Sequence, residues 1–255
     1  CIQSWRRILL NALAFHRAAQ LFKLCVECCP PDDVATRRAL TLERARALVH
    51  AGYGTEAAPL LLEVAGNAHD IDSQNLRREA MEQYLFAGRV DDGVPIMDAL
   101  LRELDLWRPP SWMATAALYA EVGILLARGP KPGRSRPLSP RERLVLDTFG
   151  SIGKGFASYE ASVGSWFFIR AVRRALEWGD RRAAARGIAY FAALLGFSGS
   201  PTFIRRAEAW IVAAERISAE DGDGHGVAYC QVSRGMVACC VGQWHTAVET
   251  FDEAA

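Results

Sequence analysis

Two cysteines near the start of the chain have the spacing that metal and redox sites use. Cys25 and Cys28 form a C-x-x-C motif within a chain that has seven cysteines. A zinc site would need a second ligand pair, and adjacent Cys239 and Cys240 would point in different directions on a helix. A redox motif follows a strand, whereas this one ends an amphipathic helical pattern. We interpret the cysteines as buried small apolar residues in a reducing compartment, with a metal or redox module at Cys25 and Cys28 as an alternative.

A glycine-rich segment at residues 150–155, GSIGKG, resembles a phosphate-binding loop. The true motif needs a first glycine where this chain has Thr148, and a hydroxyl residue where it has Gly155. The chain also lacks the G-x-S-x-G, H-R-D and D-F-G motifs, and no two histidines have H-x-x-x-H spacing. The sequence therefore predicts no catalytic, cofactor-binding or metal-binding residue in this chain.

Basic residues are the remaining candidates for binding. Five Arg-Arg pairs fall on predicted helices beside glutamates, which favours solvated helix faces with ion pairs along each helix. A proline-rich loop and the residues after it are a better candidate surface for an acidic partner, because Glu142 alone opposes their positive charges. The residues of this candidate partner-binding loop are Lys131, Arg134, Arg136, Arg141 and Arg143.

The composition limits the class of partner. Thirty basic against 29 acidic side chains leave a net charge of +1, so no overall field attracts nucleic acid or anionic lipid. The longest apolar runs are far shorter than the roughly 20 residues that span a bilayer. We expect a cytoplasmic protein that binds neither nucleic acid nor membrane.

The elements that would position these residues are helices joined by short corners. Apolar residues recur at helical spacing almost throughout, and a glycine or alanine corner is followed five positions later by a small residue. The first two intervals, 38 and 36 residues, are close to the roughly 34 of a tetratricopeptide repeat. We predict an all-α, tetratricopeptide-like helical-hairpin solenoid of about eleven helices, open at both ends. The corner and packing residues are Ala19, Gly52, Ala57, Gly88, Gly93, Gly179, Ala184, Gly242 and Ala247.

The chain divides by composition into three parts. Residues 1–128 hold degenerate hairpins, beginning with a helix at 2–12, and residues 141–255 hold further hairpins with a truncated last helix. Residues 129–140 contain four prolines and two glycines and therefore predict a linker loop. Ser139 and Pro140 at its end predict the start of a helix, with Glu142 in the first turn of that helix. Three glycines at 150, 153 and 155 either weaken that helix or permit close packing. Both ends of the chain look cut, so we expect a slice of a longer polypeptide.

Several segments resemble the repeat region of large bacterial signalling proteins, especially myxobacterial ones. These are residues 14–22 (AFHRAAQLF), 56–58 (EAA) and 76–93 (LRREAMEQYLFAGRVDDG), and residues 165–179 and 210–219 are similar too. Members of that family have an N-terminal serine/threonine protein kinase, then an AAA-like P-loop ATPase, then a long tetratricopeptide-like region.

The resemblance implies a noncatalytic scaffold that binds protein segments or the parent's own kinase or ATPase domains. ATP and magnesium would belong only to those other domains, and no catalytic residue carries over. Two alternatives keep the fold: a signal-reading domain of an ATPase-type transcriptional regulator, which would bind a small inducer, and a free-standing tetratricopeptide adaptor.

Overall fold

The computed structural model describes residues 14–254, and the helix expected at residues 2–12 lies outside the described residues. Within that range the chain forms twelve α-helices and no strand, which confirms the all-α class. The helices are α1 (Phe15–Cys28), α2 (Val34–His50), α3 (Gly54–Ala65), α4 (Ile71–Phe86), α5 (Val90–Glu103), α6 (Ser111–Arg128), α7 (Pro140–Phe156), α8 (Ala161–Trp178), α9 (Arg181–Gly196), α10 (Pro201–Glu220), α11 (Gly224–Cys240) and α12 (Trp244–Glu253). The arrangement of these helices as a solenoid stays a prediction.

One corner geometry joins many of the consecutive helices. At Gly52 the backbone is left-handed, with φ +82°, and the next amide, that of Tyr53, donates to the Leu48 carbonyl at 2.9 Å. Tyr53 also precedes the first residue of α3, so a single residue separates the glycine from the new helix. A residue without a Cβ adopts this conformation at least cost, which explains glycine here. The same 6→1 hydrogen bond closes the corners at Gly88, Gly179, Gly222 and Gly242.

A small residue five positions after the corner lets the second helix lie close to the first. The alanines at this position, Ala19, Ala57, Ala184 and Ala247, are all buried. At Gly93 a Cβ would come within 2.8 Å of the Leu85 side chain on the preceding helix. Side-chain volume at this position would therefore push the paired helices apart.

The chain forms two compact units. The first contains the described residues up to Arg108 together with Lys154–Tyr159, and the second contains Pro109–Gly153 and the chain from Glu160 onward. In the first unit α1 packs on α2, α2 on α3, α3 on α4 and α4 on α5. In the second, α6 packs on α8, α9 packs on α8, α10 and α11, and α11 packs on both α10 and α12.

The division between the units does not fall at the proline-rich loop. Residues 129–140, which composition sets apart as a linker, lie inside the second unit. The Gly133 amide donates to the Leu176 carbonyl at 2.7 Å, and Leu138 packs on the core of that unit. These contacts attach the loop to α8. The prolines and glycines of residues 129–140 therefore mark an extended segment that belongs to the second unit.

Helix α7 begins and continues as its sequence allows. The Ser139 hydroxyl accepts a hydrogen bond from the Glu142 amide at 3.2 Å, and the Glu142 carboxylate accepts one from the Ser139 amide at 2.9 Å. This reciprocal capping box confirms the predicted helix start. The helix then runs through the three glycines to Phe156, and a Cβ at Gly153 would lie 3.1 Å from the Phe168 backbone nitrogen. Gly153 therefore permits close packing on α8 within a continuous helix, whereas a Cβ at Gly150 would have no neighbour within 4 Å.

Candidate functional site

Three aromatic side chains from three packed helices lie near one another in the second unit. They are Phe168 on α8, Tyr190 on α9 and Tyr229 on α11, and each is partly buried. The ring centroids of Phe168 and Tyr190 are 4.8 Å apart at an interplanar angle of 74°, an edge-to-face contact. We call these three residues the aromatic row. Phe168 and Tyr229 pack against the core of this unit, and none of the three residues is fully buried.

An ion pair lies beside the aromatic row. Arg186 is on α9, one turn before Tyr190, and its Nη2 donates to both carboxylate oxygens of Asp223 at 3.0 and 2.9 Å. Asp223 is the residue that precedes α11, and its side chain is buried to about nine-tenths while that of Arg186 is 40% exposed. The pair ties α9 to the start of α11 and leaves part of the guanidinium accessible.

The charges around this pair favour an ionised carboxylate. Burial alone would raise the pKa of Asp223, but hydrogen bonds from the Gly226 amide and Arg186, with the charges of Arg186 and Arg182, lower it overall. Arg182 is exposed one turn before Arg186 and acts on Asp223 without an ion pair among residues 14–254. Arg182 thus adds a second positive charge near Asp223, and the same arginine also lines a neighbouring cleft together with Asp180 and Asp221.

The hydroxyl of Tyr229 is held in its neutral form. Burial raises the pKa of the Tyr229 phenol, the neighbouring Tyr190 raises it further, and Arg186 acts in the opposite direction. A neutral phenol can both donate and accept a hydrogen bond. The aromatic row thus offers two hydroxyl groups beside a cation.

Small residues on α9 allow these side chains to come together. A Cβ at Gly187 would lie 2.8 Å from Val172 on α8, and Ala185, Ala189 and Ala192 are fully buried. Because α9 has so little volume on its inner faces, it can pack on α8, α10 and α11 at once. Residues about 20 to 60 positions apart in sequence therefore lie near one another.

The arrangement places an apolar surface, hydroxyl groups and cations side by side. Tyrosine and arginine are among the residue types enriched in protein interfaces, because both combine a large contact area with hydrogen-bonding groups. The rings can receive an apolar side chain, the hydroxyls can pair with a peptide backbone, and the arginines can pair with a carboxylate.

The predicted partner-binding loop has a different arrangement from that expected. Arg136 forms an ion pair with Glu142 at 2.5 Å, and Arg143 forms one with Asp180 at 2.7 Å, so Glu142 is not the only acid opposing the loop. Lys131 and Arg134 are exposed, and the Arg134 backbone lies against the Gly179 corner. Arg141 is exposed in the first turn of α7.

A cleft of about 250 Å³ adjoins this loop. Arg136, Arg143, Arg181 and Arg182 line it together with Asp180 and Asp221. Arg181 pairs with Glu220 and with Asp221, both at 2.7 Å, so three of the four arginines already have acidic partners. Including Glu142 and Glu220, four acids balance the four arginines. The cleft is therefore a network of ion pairs with little excess charge for an anionic ligand.

The cysteines are only partly in the positions expected of them. Cys29 and Cys230 are buried, but Cys25 and Cys28 are exposed at the end of α1, which corrects their interpretation as buried apolar residues. Among residues 14–254, no group of three or more His, Cys, Asp and Glu side chains is placed to hold a metal ion. Burial raises the pKa of the Cys230 thiol to about 12. The glycine-rich segment 150–155 lies within α7.

No helix in the described part of the chain is long and apolar enough to cross a bilayer. No protein-family model, curated protein sequence or solved structure matches the chain.

Sequence reasoning missed the aromatic row and the Arg186–Asp223 pair. One signal was present: Arg182, Arg186 and Tyr190 follow one another at intervals of four on a helix otherwise rich in alanine and glycine. Such spacing places long polar side chains on one face of a helix whose other faces are small. No comparable sequence signal indicated that Tyr229 and Asp223 belong to this surface, because their position beside Tyr190 and Arg186 depends on the packing of α11 on α9.

Proposed function

We propose that this protein is a noncatalytic helical scaffold that binds a protein segment on the aromatic row. The observation that supports this proposal is the row of Phe168, Tyr190 and Tyr229 beside the partly exposed Arg186. A fitting segment has an apolar side chain for the rings next to a carboxylate for Arg182 and Arg186. Rings held on packed helices lose little conformational entropy when a ligand binds.

Selection from a phage-displayed library of random linear peptides on the immobilised protein tests the proposal. We expect enriched sequences with an acidic residue close to an aliphatic or aromatic one. Fluorescence anisotropy with a selected peptide should show at least a tenfold weaker affinity for Tyr190→Ala, since loss of a central aromatic contact costs about 2 kcal/mol or more. Arg182→Gln should weaken binding less and reduce its salt dependence.

Two variants control for effects elsewhere in the protein. Trp244→Ala removes another aromatic side chain, which is 66% exposed on α12, and Arg205→Gln removes another exposed arginine, on α10. Both should bind the peptide like the parent protein, and circular dichroism should show that every variant keeps its helix content. Equal enrichment of the same peptides on Tyr190→Ala would contradict the proposal.

We infer from the resemblance of residues 14–22, 56–58 and 76–93 that the scaffold serves a bacterial serine/threonine protein kinase with an ATPase module. In that setting the bound segment is a signalling partner or part of the parent's own kinase or ATPase domain. Reading the source gene in both directions tests this inference. Kinase and P-loop ATPase motifs upstream would support it, and a helix-turn-helix downstream or a free-standing reading frame would contradict it.

A further inference from the structure

Helix α6 presents an exposed face without charge. Trp112 is 86% exposed, Tyr119 is 71% exposed and Ile124 is 46% exposed. The other exposed residues of this helix are small or neutral: Ser111, Thr115, Ala116, Ala120, Gly123 and Ala127. Exposed aromatic side chains grouped on one uncharged face are uncommon on monomeric proteins and mark interaction surfaces.

The inner side of α6 is fixed to its own unit, so the aromatic residues are held outward. Glu121 is buried and forms ion pairs with Arg170 at 2.5 Å and with Arg173 at 3.0 Å, both on α8. The Thr115 hydroxyl lies 3.0 Å from that of Ser162, and Ala114 and Leu125 are fully buried. Rotating α6 to bury Trp112 would break the Glu121 ion pairs and leave a buried charge without a partner.

We propose that two copies of this chain dimerise through an antiparallel contact between their α6 helices. Large and small residues on the exposed face complement each other under a two-fold axis that passes between Tyr119 and Ala120. That register places Trp112 opposite Ala127 of the second copy and Ala116 opposite its Gly123. Gly123 has open space around its Cα, since a Cβ there would have no neighbour within 4 Å. The two Tyr119 rings lie side by side at the axis.

Charge and area both fit a second copy of the chain. An isologous contact brings each surface against itself, so a charged face would repel its own copy, and this face has no charge to do so. Each aromatic side chain contributes about 150–200 Å², and the smaller residues bring the total to about 500 Å² for each copy. The resulting total of about 1,000 Å² is near the lower limit for a specific interface and predicts a weak dimer.

Sedimentation velocity of the full chain between about 1 and 200 µM tests the proposal, because small interfaces bind in the micromolar range. The parent protein should pass from monomer to dimer over this range. Tyr119→Glu and Tyr119→Lys should each raise the apparent Kd more than tenfold, since each places two like charges side by side at the axis. An equimolar mixture of the two variants should dimerise again, because opposite charges then meet.

The mixture distinguishes this register from other modes of association. Tyr159→Glu is a matched control, because Tyr159 is 65% exposed in the first unit and should leave dimerisation unchanged. Gly123→Leu should also weaken the dimer while keeping the helix, since leucine favours helix and the site is open. A parent protein that stays monomeric at 200 µM, or a mixture that does not dimerise, would overturn the proposal. Neither result bears on peptide binding by the aromatic row.

Discussion

The corners at Gly179 and Gly242 have the same local structure and different surroundings. Both glycines are left-handed, with φ +74° and +78°, and each is followed five positions later by a buried alanine. A Cβ at Gly179 would overlap the Arg134 carbonyl of the 129–140 loop, whereas a Cβ at Gly242 would have nothing within 4 Å. The local sequence thus determines that a corner forms, and the tertiary structure determines whether the corner tolerates a side chain.

The largest expected effect is that of Gly179→Ala. Left-handed backbone costs an L-residue about 1–2 kcal/mol, and overpacking against the Arg134 backbone adds about 1–3 kcal/mol. The free energy of unfolding of the second unit should therefore fall by about 2–5 kcal/mol. Urea unfolding followed by tryptophan fluorescence measures it, because five of the seven tryptophans lie in that unit. A loss below 1 kcal/mol would mean that the loop does not cover this corner.

Gly242→Ala should cost only the backbone strain. With open space around the added Cβ, we expect a loss of about 1–2 kcal/mol in the same urea experiment. The difference between the two variants is then the contribution of the loop above Gly179. Equal losses would show that the surroundings do not distinguish the corners.

The third prediction concerns the capping box beside that loop and its pH dependence. The hydrogen bond from Arg136, followed by that from the Ser139 amide, lowers the pKa of Glu142 from 4.5 to about 2. A carboxyl group whose folded pKa is lowered stabilises the fold above its unfolded pKa, and the stabilisation is lost as the pH falls through the folded value. The urea midpoint of Glu142→Gln should be lower than that of the parent above pH 5, and the gap should narrow between pH 4.5 and 2.

A matched variant isolates this effect. Glu249 is an exposed glutamate on α12, and Glu249→Gln should follow the parent protein at every pH. A gap between Glu142→Gln and the parent that stays constant down to pH 2 would show that the charge of Glu142 contributes nothing to stability.

The corners and helices could be predicted from the sequence because their signals are local. Helical spacing, a glycine at the corner, and Ser139 with Glu142 at a helix start all act within a few residues. Glu121 shows the opposite case: its burial depends on Arg170 and Arg173, about 50 positions away. The aromatic row is similar, since Tyr190 and Tyr229 become neighbours only because α9 packs on α11. Long-range packing sets the site, and the short-range spacing of Arg182, Arg186 and Tyr190 indicates only the part of it that lies on α9.

The smallest effect is expected at a corner that has no glycine. Asp105 is left-handed with φ +57°, and the Leu106 amide donates to the Leu101 carbonyl at 2.8 Å, which is the hydrogen bond of the glycine corners. Sequence analysis missed this corner because aspartate stands where the other corners have glycine. Aspartate tolerates the left-handed conformation better than most residues, so replacing it relieves little strain.

Asp105→Gly should therefore change the free energy of unfolding by no more than about 0.5 kcal/mol, since the relief of strain is offset by the greater freedom of glycine in the unfolded chain. Thermal melting followed by circular dichroism measures this change, with Gly242→Ala as the reference for a full strain penalty. A gain of 2 kcal/mol would mean that the Asp105 backbone is more strained than its φ indicates. A comparable loss would mean that the carboxylate makes a stabilising interaction beyond the corner.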